Sequence, residues 1–61
     1  MCLSTVYRNE KADDNVLCQY VAHIAIEGDK IILTDVLGAN TEIVGKLLTA
    51  DLTAGTVIVA Q

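Results

Sequence analysis

The stretch Ile24-Ala25-Ile26-Glu27-Gly28-Asp29-Lys30-Ile31-Ile32-Leu33 constrains this chain more than any other. Two β-prone runs flank Gly-Asp, a pair suited to the positive-φ positions of a two-residue hairpin turn. Side chains alternate between the two faces of a strand. Ile24 and Ile26 therefore fall on one face with Ile31 and Leu33 opposite them, while Ala25, Glu27, Lys30 and Thr34 point away. Ile32 is the exception. It is apolar on the polar face, which makes it a candidate contact with a second chain.

The rest of the chain reads in the same way. It is rich in β-branched residues, has no proline, and places turn-forming clusters at intervals of roughly 10 to 15 residues, the pattern of short antiparallel strands. Thr5-Val6-Tyr7 is the first apolar run, and the polar residues 9–15 form a loop because Asn and Asp bond to nearby backbone. Residues 16–21 resume extended structure. Residues 37–42 form a second turn region and Thr53-Ala54-Gly55 a third, before a terminal strand at residues 56–60. Gly45 interrupts residues 42–52, as a glycine does at a bulge or bend. Residues 45–52 are read as strand, with one or two helical turns as the alternative, because Leu47, Leu48 and Asp51 also fit a 3.6-residue period. The expected architecture is a single all-β domain spanning residues 1–61, built as a small six- or seven-stranded barrel or a strongly bent antiparallel sheet.

A chain of 61 residues buries only about 60% of its unfolded surface, which leaves a marginal core. Its apolar content is 52%, yet no uninterrupted apolar stretch approaches the ~20 residues that span a bilayer. The surplus of Val, Ile, Leu and Ala points instead to a homodimer that covers some of it. Residues 1–8 lack the charged and apolar regions of a secretory signal, so the expected setting is cytoplasmic with reduced thiols. Eight acidic against four basic residues give a net charge of −4. Arg8, Lys11, Lys30 and Lys46 are scattered, and only Tyr7 and Tyr20 are aromatic. Both features disfavour nucleic-acid binding.

Catalytic constellations are poorly supported. The single histidine, His23, lies on the polar side of its strand, where a lone histidine is ordinarily solvated. Asp13 and Asp14 sit in a loop, and Gly28, Gly38, Gly45 and Gly55 are isolated, as turn glycines are. Cys18, among Val16, Leu17 and Val21, reads as a small apolar residue, with a second metal ligand as its alternative. Cys2 reads from its position as an incidental small residue at a frayed end, and from its backbone neighbours as a metal ligand. The Met1 amine, the Cys2 amide nitrogen and the Cys2 thiolate are consecutive donors that close two five-membered chelate rings. A nearly planar set of nitrogen and soft sulfur suits Ni(II) or Cu(II) better than Zn(II). If Met1 were removed, the amine of Cys2 would take its place. One chain supplies three such donors; two Cys2 residues meeting near a dimer axis supply two sulfurs and two nitrogens.

Met1-Cys2-Leu3, Ile26-Glu27-Gly28-Asp29-Lys30-Ile31, Leu33-Thr34-Asp35-Val36-Leu37-Gly38, Gly45-Lys46-Leu47 and Asp51-Leu52 together resemble the CooT-like family of small nickel-binding proteins, associated with nickel delivery to carbon monoxide dehydrogenase. The resemblance implies a small β-barrel-like homodimer that is not an enzyme. It also implies one nickel ion per dimer, Cys2 as the essential ligand and a nickel-enzyme client. Residues 9–20 carry no signature of the family, and Leu37 stands where an aromatic residue is common. A weaker likeness joins the chain to the HypC-type hydrogenase maturation chaperones, which also begin Met-Cys but continue through a proline that this chain lacks. That likeness implies a non-catalytic scaffold or interaction module.

Overall fold

The computed structural model describes residues 3–61. Its strands are β1 (Ser4–Arg8), β2 (Val16–Glu27), β3 (Lys30–Asp35), β4 (Asn40–Val44), β5 (Lys46–Asp51) and β6 (Thr56–Ala60), with a 3₁₀ turn at Asp13–Asn15 between β1 and β2. They make one six-stranded sheet in the order β4-β3-β2-β1-β6-β5. The all-β expectation holds. Two of its details do not: the sheet is mixed rather than antiparallel throughout, and it is open rather than closed into a barrel.

Both differences have a topological cause. The first and last strands, β1 and β6, pair in parallel from Thr5 opposite Thr56 to Arg8 opposite Val59. A parallel pair needs a long crossover, and here everything between the two strands serves as one. The edge strands β4 and β5 are consecutive in the chain but separated only by Gly45. The tightest common hairpin loop has two residues, so the chain passes through Gly45 without folding back and the edges stay unpaired with each other. Gly45 is tightly enclosed. Its N–H donates to the Asp29 carbonyl at 2.9 Å, and any Cβ there would collide with the carbonyl oxygen of Ala60.

The β2–β3 hairpin has the expected register, with Ile24 opposite Leu33, Ile26 opposite Ile31 and Glu27 opposite Lys30. Within the turn pair Gly28 takes φ 60° and Asp29 stays at negative φ, the pattern of a turn with glycine at its first central position. Ile31 and Leu33 are fully buried with Val6, Val57 and Val59, and Val21 and Ile43 complete the core. Ile24, Leu17 and Cys18 pack against it, so Cys18 has the small-apolar role expected of it. Ile26, at the hairpin tip, is 57% exposed despite lying on the core face. Ile32 is half-buried.

Simple alternation fails in the middle of β2. Ser4 faces Val21 and Val6 faces Cys18, so β2 spends three residues where β1 spends two. A second irregularity leaves Leu17 extra between Val16 and Cys18. On the other side Val21 faces Asp35 and His23 faces Thr34, which makes Ala22 extra. Bulges bend the strand that carries them and re-aim its side chains. The bulge at Ala22 is what lets both Val21 and Ile24 reach the core although they are three positions apart. Tyr20 sits in this bend at φ 58°, with its carbonyl accepting from the Val36 N–H at 3.0 Å.

The second turn is shorter than expected. It occupies residues 36–39, where the Asp35 carboxylate accepts from the N–H groups of Leu37 (2.9 Å) and Ala39 (3.0 Å). Residues 40–42 belong to β4 instead, with Asn40 facing Thr34 and accepting its hydroxyl at 2.7 Å. The third turn lies where expected, before β6, and its Ala54 N–H donates to the Asp51 carboxylate at 3.1 Å. Residues 46–51 are strand, not helix.

Candidate functional site

Met1 and Cys2, the expected metal ligands, lie outside the described residues. Their immediate support lies within them. The chain enters the sheet at Ser4, whose side chain is buried, and the Thr5 N–H donates to the Gly55 carbonyl at 2.8 Å. Gly55, at φ 69°, lies so close beneath Leu3 that a Cβ on it would stand 3.3 Å from the Leu3 carbonyl oxygen. The turn between β5 and β6 thus seats the amino end of β1. A side chain at position 55 would push against that seat and be strained by its own φ.

Beside this entry point is an open depression of about 500 Å³ lined by Ser4, Val21, Ala22, His23, Ile24 and Leu52. It exists because β2 runs on past the start of β1: Ser4 pairs with Val21, and β2 continues to Glu27. Leu52 closes one side from the turn and is 69% exposed. His23 is exposed, as expected of the polar side of the strand. It lines the same open depression as its neighbour Ile24, although the ladder from His23 opposite Thr34 to Ile24 opposite Leu33 is regular.

The other candidates are elsewhere. Asp13 and Asp14 are exposed in the 3₁₀ turn that follows the opposite end of β1. Cys18 is half-buried opposite Val6. Among the described residues no three His, Cys, Asp or Glu side chains converge as a metal site, and no helix is long and apolar enough to cross a membrane. The one ion pair among them, Lys30 Nζ to Glu42 Oε1 at 3.3 Å, joins β3 to β4 on the surface. Reading the sequence alone missed the meeting of His23 and Leu52 beside the amino end. No local signal marks it, since it depends on a bulge and on a turn about 30 residues further along the chain.

No curated protein matches the chain. A family model does, over residues 1–60, a span that includes both the unusual amino end and the sheet described above, and its description is CO dehydrogenase accessory protein CooT. On that match this chain belongs to the CooT family of CO dehydrogenase accessory proteins.

Proposed function

We propose that this chain is a nickel-binding accessory protein that carries Ni(II) for the maturation of a nickel enzyme such as carbon monoxide dehydrogenase. The observation that carries this reading is the family match, which extends to the first residue and so takes in Met1 and Cys2. The ion is held by the Met1 amine, the Cys2 amide nitrogen and the Cys2 thiolate, close to the axis of a homodimer whose second chain completes the donor set. Amine, amide and thiolate fit a cation that accepts soft sulfur and a planar arrangement. The chain performs no chemistry on the metal; it binds, holds and releases it as cargo.

The test is a Ni(II) titration of protein with an untagged amino terminus, followed by thiolate-to-metal charge-transfer absorption and by native mass spectrometry for stoichiometry. We expect one ion per dimer and loss of the absorption band in Cys2→Ser. Residues added before Met1 convert its amine to an amide and weaken binding. A Cys2→Ser protein that binds nickel as tightly as the parent would remove the basis for this function. Capture of a client protein that survives Cys2→Ser and ignores nickel would point instead to a scaffold.

A further inference from the structure

We propose that Gly55 is a positioning residue for the amino-terminal nickel site, an inference that rests on the nickel reading above and gives the β5–β6 turn a part in it. Leu3 is bonded to Cys2, so whatever holds Leu3 holds the point from which the donors of Met1 and Cys2 begin. Gly55 lies against that point. A Cβ on Gly55 would stand 3.3 Å from the Leu3 carbonyl oxygen and 4.0 Å from the Ser4 Cα, both backbone atoms, while the Gly55 carbonyl accepts from the Thr5 N–H at 2.8 Å. One glycine is thus set against three consecutive residues at the start of the sheet. Ser4 and Thr56, on either side of this contact, are buried, and Thr5 stands opposite Thr56 in the parallel ladder, so the two backbones are held together at this level.

The turn by itself does not require so small a residue. Gly28, Gly38 and Gly55 all have positive φ, a region that asparagine and aspartate also enter, and nothing lies within 4 Å of a Cβ built on Gly28 or Gly38. At Gly55 positive φ is combined with a close approach to another stretch of backbone, the second use of a residue without a side chain. This contact matters to the metal because of how the donors divide. The amine, amide and thiolate belong to one dipeptide and close their chelate rings without help from the fold. Donors from the second chain need that help, because they meet the ion only if both amino ends leave their sheets at matching points. A methyl group at position 55 displaces the Leu3 carbonyl by a few tenths of an ångström. That error grows along the chain beyond Leu3, against the roughly 0.5 Å within which a binding constellation must be held.

The experiment compares the parent with Gly55→Ala, Gly38→Ala and Cys2→Ser, as full chains with native amino termini titrated with Ni(II) alone. Gly38→Ala is the control, because it puts alanine at positive φ with no backbone to press against. Affinity should fall about tenfold or more in Gly55→Ala, the size of loss produced by changing a residue that only orients a metal ligand, and stay at the parental value in Gly38→Ala. Native mass spectrometry should find that Gly55→Ala no longer holds an ion between two chains. Without metal, the amide NMR shifts of Leu3, Ser4 and Thr5 should move in Gly55→Ala and not in Gly38→Ala. If Gly55→Ala does not fold, Asp51→Ala takes its place, since it removes the carboxylate to which the Ala54 N–H donates and loosens the same turn. Equal affinities in the turn variant and Gly38→Ala, at any level, or unmoved amide shifts at Leu3 would overturn the inference, and with Cys2→Ser unable to bind in the same titration the nickel reading would stand. If Cys2→Ser bound like the parent, the nickel reading itself would fall and the role of Gly55 with it.

Discussion

Gly45 and Tyr20 show two different backbone constraints. At Gly45 the obstacle is space: a methyl group would meet the carbonyl of Ala60, which is held in the β5–β6 ladder opposite Lys46. Gly45→Ala should therefore cost more than the roughly 1–3 kcal/mol typical of overpacking in a core that can shift its side chains, as read from the urea midpoint. Gly38 offers the contrast, with φ 88° and open space around the missing Cβ. Gly38→Ala should lose only the left-handed backbone term, about 1–2 kcal/mol. Tyr20 holds φ 58° with no glycine to ease it, and with 62% of its surface exposed it gains little from burial. Tyr20→Asn should thus leave stability unchanged or raise it by up to about 1 kcal/mol, because asparagine tolerates this region. A clear loss in the same urea titration would mean that the ring contributes packing beyond what its exposure suggests.

The β2–β3 hairpin was legible because its determinants are local. Gly28 lies between two runs of opposite phase, and the alternation of Ile24, Ile26, Ile31 and Leu33 follows from chain geometry alone. Depth was not legible. Ile26 and Leu33 share a face, yet Leu33 is fully buried and Ile26 largely exposed, because the β1 side of the sheet stops at Ser4 while β2 continues to Glu27. Leu33→Ala should cost about 2–5 kcal/mol, most of the stability of a domain this small at roughly 0.05–0.15 kcal/mol per residue. Ile26→Ala should cost under about 1 kcal/mol, since the area it leaves to water is already mostly wet. The pair of urea curves checks both. The turn after β3 was read too long for a similar reason: Asn40, Thr41 and Glu42 have the composition of a loop, and only pairing with β3 makes them strand.

At the scale of the molecule, the described residues leave Leu37 (90% exposed), Leu52, Leu48, Val44 and Tyr20 on the surface, apolar side chains of the kind a second chain can cover. The homodimer proposed above would cover the depression beside Ser4 on bringing the amino ends together, and on that proposal Leu52→Asp is expected to shift the protein toward monomer in sedimentation velocity. An undisturbed dimer would place the contact on another part of that surface. Near neighbours along the chain are enough to specify the all-β class, the glycine turns at Gly28 and Gly55, and the inward Ile31 and Leu33. The parallel seam between β1 and β6, the bulges of β2 and the meeting of His23 and Leu52 beside Ser4 depend instead on packing between distant segments. Strand pairing across about 50 residues and the slip of one residue in a ladder are settled by which contacts compete best in the collapsed chain. Neither turn chemistry nor period-two patterning encodes that competition.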